Sequence, residues 1–165
     1  MTPYAVVVPF SPGPALTLPG RLGYGALGDA IGHRLEGTTH PVAVRIDGRF
    51  VHVRVRSVPK QRRPYPDLAA ALAQQRISDL HDVRGTMVGF GFPDALDGIE
   101  MIGWHLHFAT DARDLGGHVL DFTLRRGVAA LDDGADMKVE LPPAVSVHHG
   151  AVADQEALRR LERGG

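Results

Sequence analysis

Gly103-Trp104-His105-Leu106-His107-Phe108 alternates imidazoles with large apolar groups. Side chains on a strand point to opposite faces in turn. The segment therefore reads as a β-strand with His105 and His107 on one face and Trp104, Leu106 and Phe108 on the other. The apolar face suits a core, and the polar face presents two imidazoles to one metal ion. Asp111 to Gly117 reads as a turn, and His118 follows eleven residues after His107. A hairpin of that size returns the next strand beside the first and carries His118 toward the pair. Three histidines with an open fourth position form a catalytic type of zinc site rather than a closed structural one. An isolated His-x-His is often no more than a solvated pair; the apolar opposite face and the returning Gly-Gly-His raise this one above that.

Outward from this hairpin, 20 glycines and 12 prolines divide the chain into short pieces. Strands are expected at Tyr4–Phe10, Val42–Ile46 and Phe50–Arg56, with Asp47-Gly48 as a hairpin turn between the last two. Val51, Val53 and Val55 alternate with His52, Arg54 and Arg56, giving one apolar and one cationic face. Further strands are expected at Thr86–Phe90, Ile99–Ala109, Gly117–Phe122, Val128–Leu131 and Met137–Leu141. Helices are expected at Ala26–Leu35, at the alanine-rich Leu68–Arg76 and at Asp154–Glu162. Ser11–Gly20 reads as a Pro/Gly loop. The fold class is α+β: a mixed, mostly antiparallel, half-barrel-like sheet with a few short helices, in one domain over 1–165.

Composition narrows the chemistry. The chain is 44% hydrophobic and 22% charged with a formal net charge of -1, as in an ordinary globular protein. Its basic residues are interspersed with acidic ones, which argues against a nucleic-acid surface or a polybasic membrane anchor. No stretch approaches the roughly 20 apolar residues that span a bilayer, and no basic leader precedes the first apolar run. The expectation is a cytoplasmic protein. With no cysteine, a metal must be held by His, Asp or Glu, and a thiol nucleophile is excluded. No Gly-rich phosphate loop suggests an organic cofactor. His148-His149, His33, His40, His52 and His81 read as ordinary histidines. By pattern alone Arg54 and Arg56 read as a solvated edge-strand face, although a guanidinium beside a metal can grip a carboxylate with two hydrogen bonds.

Five blocks together resemble the α-acetolactate decarboxylase family: Pro3-Tyr4-Ala5 with Pro9-Phe10, RSVPKQRRPYPDL from Arg56, GTMVGFGFP from Gly85, GWHLHF from Gly103 and DLGGHVLDF from Asp114. They occur in the family's order and cover most of the chain. The resemblance implies that His105, His107 and His118 bind zinc, though imidazoles suit other divalent transition metals as well. It implies that Arg56 lies at the active site, and that a tail glutamate folds toward the metal. Glu162 is the match, with Glu156 as the alternative. The family's N-terminal segment, with a GTF block and an LDGE block whose glutamate belongs to the active site, has no counterpart here.

The implied reaction is metal-dependent conversion of 2-acetolactate to acetoin and carbon dioxide, making the chain a carboxy-lyase. Its partners would be a small 2-oxo or hydroxy acid and further copies of itself, as a dimer or a trimer, with no nucleic acid or membrane. The H-x-H…GGH core also resembles the small PPC domains. That resemblance implies a non-catalytic oligomeric module binding a metal or small molecule. A degenerate decarboxylase keeping only the fold is a third reading.

Overall fold

The computed structural model describes residues 7–32, 38–64, 66, 70–71, 73–93 and 103–133. Its elements are β1 (Leu16–Leu18), β2 (Leu22–Gly23), α1 (Tyr24–Ile31), β3 (Val42–Ser57), β4 (Arg76–Phe92), β5 (Gly103–Thr110) and β6 (Gly116–Asp132). All described pairings are antiparallel. β3 lies between β4 and β6; β5 lies beyond β4; β1 and β2 pair with β6. Over three residue pairs β5 also reaches β6, with His107 opposite His118, Phe108 opposite Gly117 and Ala109 opposite Gly116. The sheet therefore curls, with its apolar face inward, as the α+β expectation anticipates.

The core follows from strand periodicity. Val42, Val44 and Ile46 of β3, Met87 of β4, Leu106 and Phe108 of β5, and Phe122 and Leu124 of β6 are buried on one face. Phe50 sits at the centre with its ring 5.2 Å from Phe108 and 6.0 Å from Phe122, both edge-on. The helix α1 contributes Leu27 and Ile31, one turn apart and fully buried. Among the described residues no helix is long and apolar enough to cross a membrane.

Several boundaries differ from the sequence-based expectation. Asp47-Gly48 is not a turn: β3 runs unbroken from Val42 to Ser57. Gly48 faces Gly85 on one side and Gly127 on the other. A Cβ at Gly48 would lie 2.7 Å from the Arg126 carbonyl oxygen and 2.8 Å from Leu124 Cδ1. The glycine serves close strand approach rather than a reversal. Asp47 is occupied by Arg45 at 2.8 Å and by the Thr86 hydroxyl at 2.6 Å.

Val51 does not join Val53 and Val55 in the core; it is 37% exposed. Phe50 pairs with Leu124 and His52 with Thr123, so Val51 is an extra residue relative to β6. A one-residue bulge of this kind inverts the inward phase, and Phe50 takes the core position instead. Similar irregularities at Leu120 and Arg125 join the two expected strands Gly117–Phe122 and Val128–Leu131 into the single β6.

β4 extends well beyond Thr86–Phe90, and Arg76, expected to end a helix, opens it; Ala70 and Ala71 are helical. The first helix begins at Tyr24 rather than Ala26. Val7 to Phe10 form no strand, and the loop Ser11–Gly20 contains β1. The expected strand Met137–Leu141 and helix Asp154–Glu162 lie outside the described residues.

Candidate metal centre

The β5–β6 turn sets the site. Thr110 donates its backbone N–H to Leu115 O at 3.0 Å and its hydroxyl to the Asp114 carboxylate at 2.7 Å. Arg113 N–H returns to Thr110 O at 2.9 Å, and Asp111 N–H ties the turn to Arg84 O on β4 at 3.1 Å. This closure places His107 directly across from His118. Directly opposed residues share a face, and His105, two positions before His107 on the same strand, joins them.

Two glycines make the close approach possible. Gly89 of β4 packs on β5, where a Cβ would collide with the carbonyl oxygen of His105. Gly117, next to His118, has φ +156°, and a Cβ there would collide with the carbonyl oxygen of Arg56. Trp104 is held from below: Tyr24 donates its hydroxyl to the Trp104 carbonyl. A Cβ at Gly91 would lie 2.8 Å from the Trp104 ring. The residue preceding His105 is therefore clamped between α1 and β4.

The three imidazoles converge. One ring nitrogen from each of His105, His107 and His118 lies within 4.8 Å of the other two. Ring centroids are 5.3 Å apart for His105 and His107, 4.8 Å for His105 and His118, and 5.4 Å for His107 and His118. The Nε2 atoms of His105 and His107 are 3.3 Å apart. Two nitrogens at zinc-like distances of about 2.0–2.1 Å, placed at tetrahedral corners, are about 3.3–3.4 Å apart. The pair thus already stands at the spacing of two ligands on one ion, with a ring nitrogen of His118 within 4.8 Å of both. His107 keeps a solvent-exposed edge. Even so, surrounding protein, then the His105 ring and the Arg56 guanidinium, hold its pKa below the ordinary histidine value. That favours the neutral imidazole, the form with a lone pair for a metal.

Arg56 lies opposite His118 on β3, so His107, His118 and Arg56 line up across three strands. Arg56 is 5% exposed. This corrects the reading of a solvated edge: β3 is an interior strand paired on both sides, and only Arg54 of the two faces water, 3.9 Å from Asp79. Glu156, Glu162, His148, His149 and His33 fall outside the described residues. His40 bonds the Asp133 carbonyl. His52 engages Asp79 at 2.8 Å and its ring lies 5.1 Å from that of His81. The supporting roles of Tyr24, Gly89, Thr110 and Asp114 escaped sequence reading; the glycine spacing in GFGF was the one local hint, and pairing partners were needed to interpret it.

Known proteins share both the sequence pattern and the fold. The sequence profile described as alpha-acetolactate decarboxylase matches residues 1–151. The chain belongs to the alpha-acetolactate decarboxylase family. It is 36% identical over 164 residues to the alpha-acetolactate decarboxylase of Methanosarcina mazei, a match covering 98% of this chain and 57% of that protein. The chain thus spans little more than half the length of this relative. The crystal structure of alpha-acetolactate decarboxylase from Bacillus subtilis strain 168 superposes with a TM-score of 0.81 at 28% identity, covering 94% of this chain and 68% of that one. A plant- and prokaryote-conserved (PPC) protein of Pyrococcus horikoshii shares the fold, with a TM-score of 0.51 at 14% identity, covering 83% of this chain and 87% of that one.

Proposed function

We propose that this chain decarboxylates 2-acetolactate to acetoin and carbon dioxide at a zinc centre held by His105, His107 and His118. The observation that carries the reading is the convergence of three imidazoles beside a buried arginine in a member of the alpha-acetolactate decarboxylase family. Loss of carbon dioxide leaves an electron pair on carbon, and a bound divalent ion supplies the Lewis acid that such chemistry needs. The donor set fits that ion, because three neutral imidazoles leave a position open for substrate. Zinc is the preferred ion; imidazoles also take copper, nickel and iron.

Arg56 grips the substrate carboxylate and orients the bond that breaks. Its charge is confined in a largely dehydrated position, where a fork of N–H donors is worth more than in water. The proton that completes acetoin arrives on the Arg56 side, from the guanidinium or a water it positions. The tail glutamate, Glu162 or in its place Glu156, orients the substrate hydroxyl.

Protein loaded with one equivalent of zinc and supplied with 2-acetolactate is expected to release acetoin and carbon dioxide in equal amounts. Fully metallated protein that forms no acetoin would reject the reaction. The second reading, a non-catalytic metal- or small-molecule-binding module, is favoured by the fold shared with the PPC protein; it predicts zinc binding without turnover. In either reading we propose a homo-oligomer, a dimer or trimer, which light scattering on the purified chain measures directly.

A further inference from the structure

A second feature lies on the same three central strands, away from the histidines. Arg84 of β4, Arg49 of β3 and Arg126 of β6 stand directly opposite one another. Neighbouring Cα atoms in such a row are about 4.5–5.5 Å apart, and like charges placed this way destabilise a sheet. Asp82 relieves only part of the row. It takes Arg49 in a two-pronged pair at 2.9 and 2.5 Å and reaches Arg125 at 3.6 Å. Among the described residues, Arg84 and Arg126 make no side-chain hydrogen bond or ion pair.

The row borders a groove of about 520 Å³, within the range of roughly 300–1,000 Å³ typical of small-molecule sites. Arg49, Arg84 and Arg126 all line it, with the adjacent row Gly85, Gly48 and Gly127 contributing main chain alone. Two carboxylates also line it. Asp47 is already committed to Arg45 and Thr86, which leaves Asp111 as the other carboxylate on a lining that carries two uncommitted guanidinium groups.

We propose that this groove binds a small polyanion, carrying two or more carboxylate or phosphate groups, between Arg84 and Arg126. Guanidinium forks match both kinds of oxyanion in paired hydrogen bonds. Such a ligand offsets the repulsion along the row. The position is separate from Arg56, so occupancy here and chemistry at the histidines are distinct events.

Calorimetric titration of the full chain with pyrophosphate and with citrate, at low ionic strength, tests this and separates the two ligand classes. Saturable binding of either, one per chain, is expected. Removing a charge-assisted contact costs about 1.5–3 kcal/mol, or roughly tenfold to a hundredfold in affinity. Arg84→Ala and Arg126→Ala should each weaken binding by that amount, and the double variant should abolish it. Both side chains lack described partners, so the variants are expected to fold, as circular dichroism will verify. His107→Ala and Arg56→Ala should leave the titration unchanged. Absence of saturable binding at millimolar ligand would overturn the proposal, as would full affinity in the double variant or loss of binding in Arg56→Ala. Tighter binding of duplex DNA, lost in the same double variant, would also overturn it.

Discussion

His105, His107 and His118 are brought together by the pairing of β5 with β6, with Arg56 opposite His118. His118→Ala is expected to lower zinc content from one equivalent to near zero while the far-ultraviolet spectrum is unchanged; retained stoichiometric zinc would remove His118 from the site. Arg56 is a buried cation. In an open strand it would be one more solvated cation, but between two paired strands it is nearly sealed from water. Arg56→Lys keeps the charge and loses the planar fork. Under the proposed reaction, acetoin formation is expected to fall about tenfold or more, with zinc content unchanged. A variant that keeps full kcat would show that the fork plays no part.

At the scale of elements, sheet pairing gives the glycines their meaning. Gly117 lets β6 approach the Arg56 carbonyl, so Gly117→Ala should push His118 away from His107. The expected readout is a zinc affinity weakened by an order of magnitude or more in a folded protein. Gly48→Ala tests a different consequence. Its Cβ would meet main-chain and side-chain atoms at 2.7 and 2.8 Å, and overpacking of this kind costs about 1–3 kcal/mol. Urea denaturation should show that loss with zinc stoichiometry intact. An unchanged midpoint would mean that the strands separate there at no cost. The Asp47-Gly48 dipeptide also explains a misreading. Local turn preference is weak beside the energy of a strand paired on both edges, and short-range pattern has no access to those partners.

Across the whole molecule, stability rests on a core that three bulges keep in phase. Phe50→Ala should cost about 3–5 kcal/mol, read as a large drop in melting temperature, because Phe50 packs edge-on against both the Phe108 and Phe122 rings. A small effect would place the core's centre elsewhere. Hydrogen-bonded surface carboxylates set the acid limit. A hydrogen bond from His52 lowers the pKa of Asp79, one from Arg49 lowers that of Asp82, and one from Thr110 lowers that of Asp114. Carboxylates whose folded pKa is depressed stabilise above their unfolded pKa, and that contribution disappears as pH falls through the folded value. Melting temperature should therefore decline below about pH 4, and high salt should blunt the decline because these groups are exposed. A melting temperature that holds steady to about pH 2 would contradict this.

By itself the sequence determined the alternation that puts His105 and His107 on one face and Leu106 and Phe108 on the other. It also specified the glycine-bounded turn that returns His118, and the ordered blocks that mark the family. Those are properties of neighbouring residues, and a two-residue period or a short turn expresses them directly. Tertiary structure alone decided which apolar residues of β3 turn inward, since the bulge at Val51 depends on β6. It decided that Asp47-Gly48 continues a strand, since the reason lies in Gly85 and Gly127. It also decided that Arg56 is buried and that Arg84, Arg49 and Arg126 share a row. Burial and register are relations between strands far apart in the chain, set by how the sheet curls over its core.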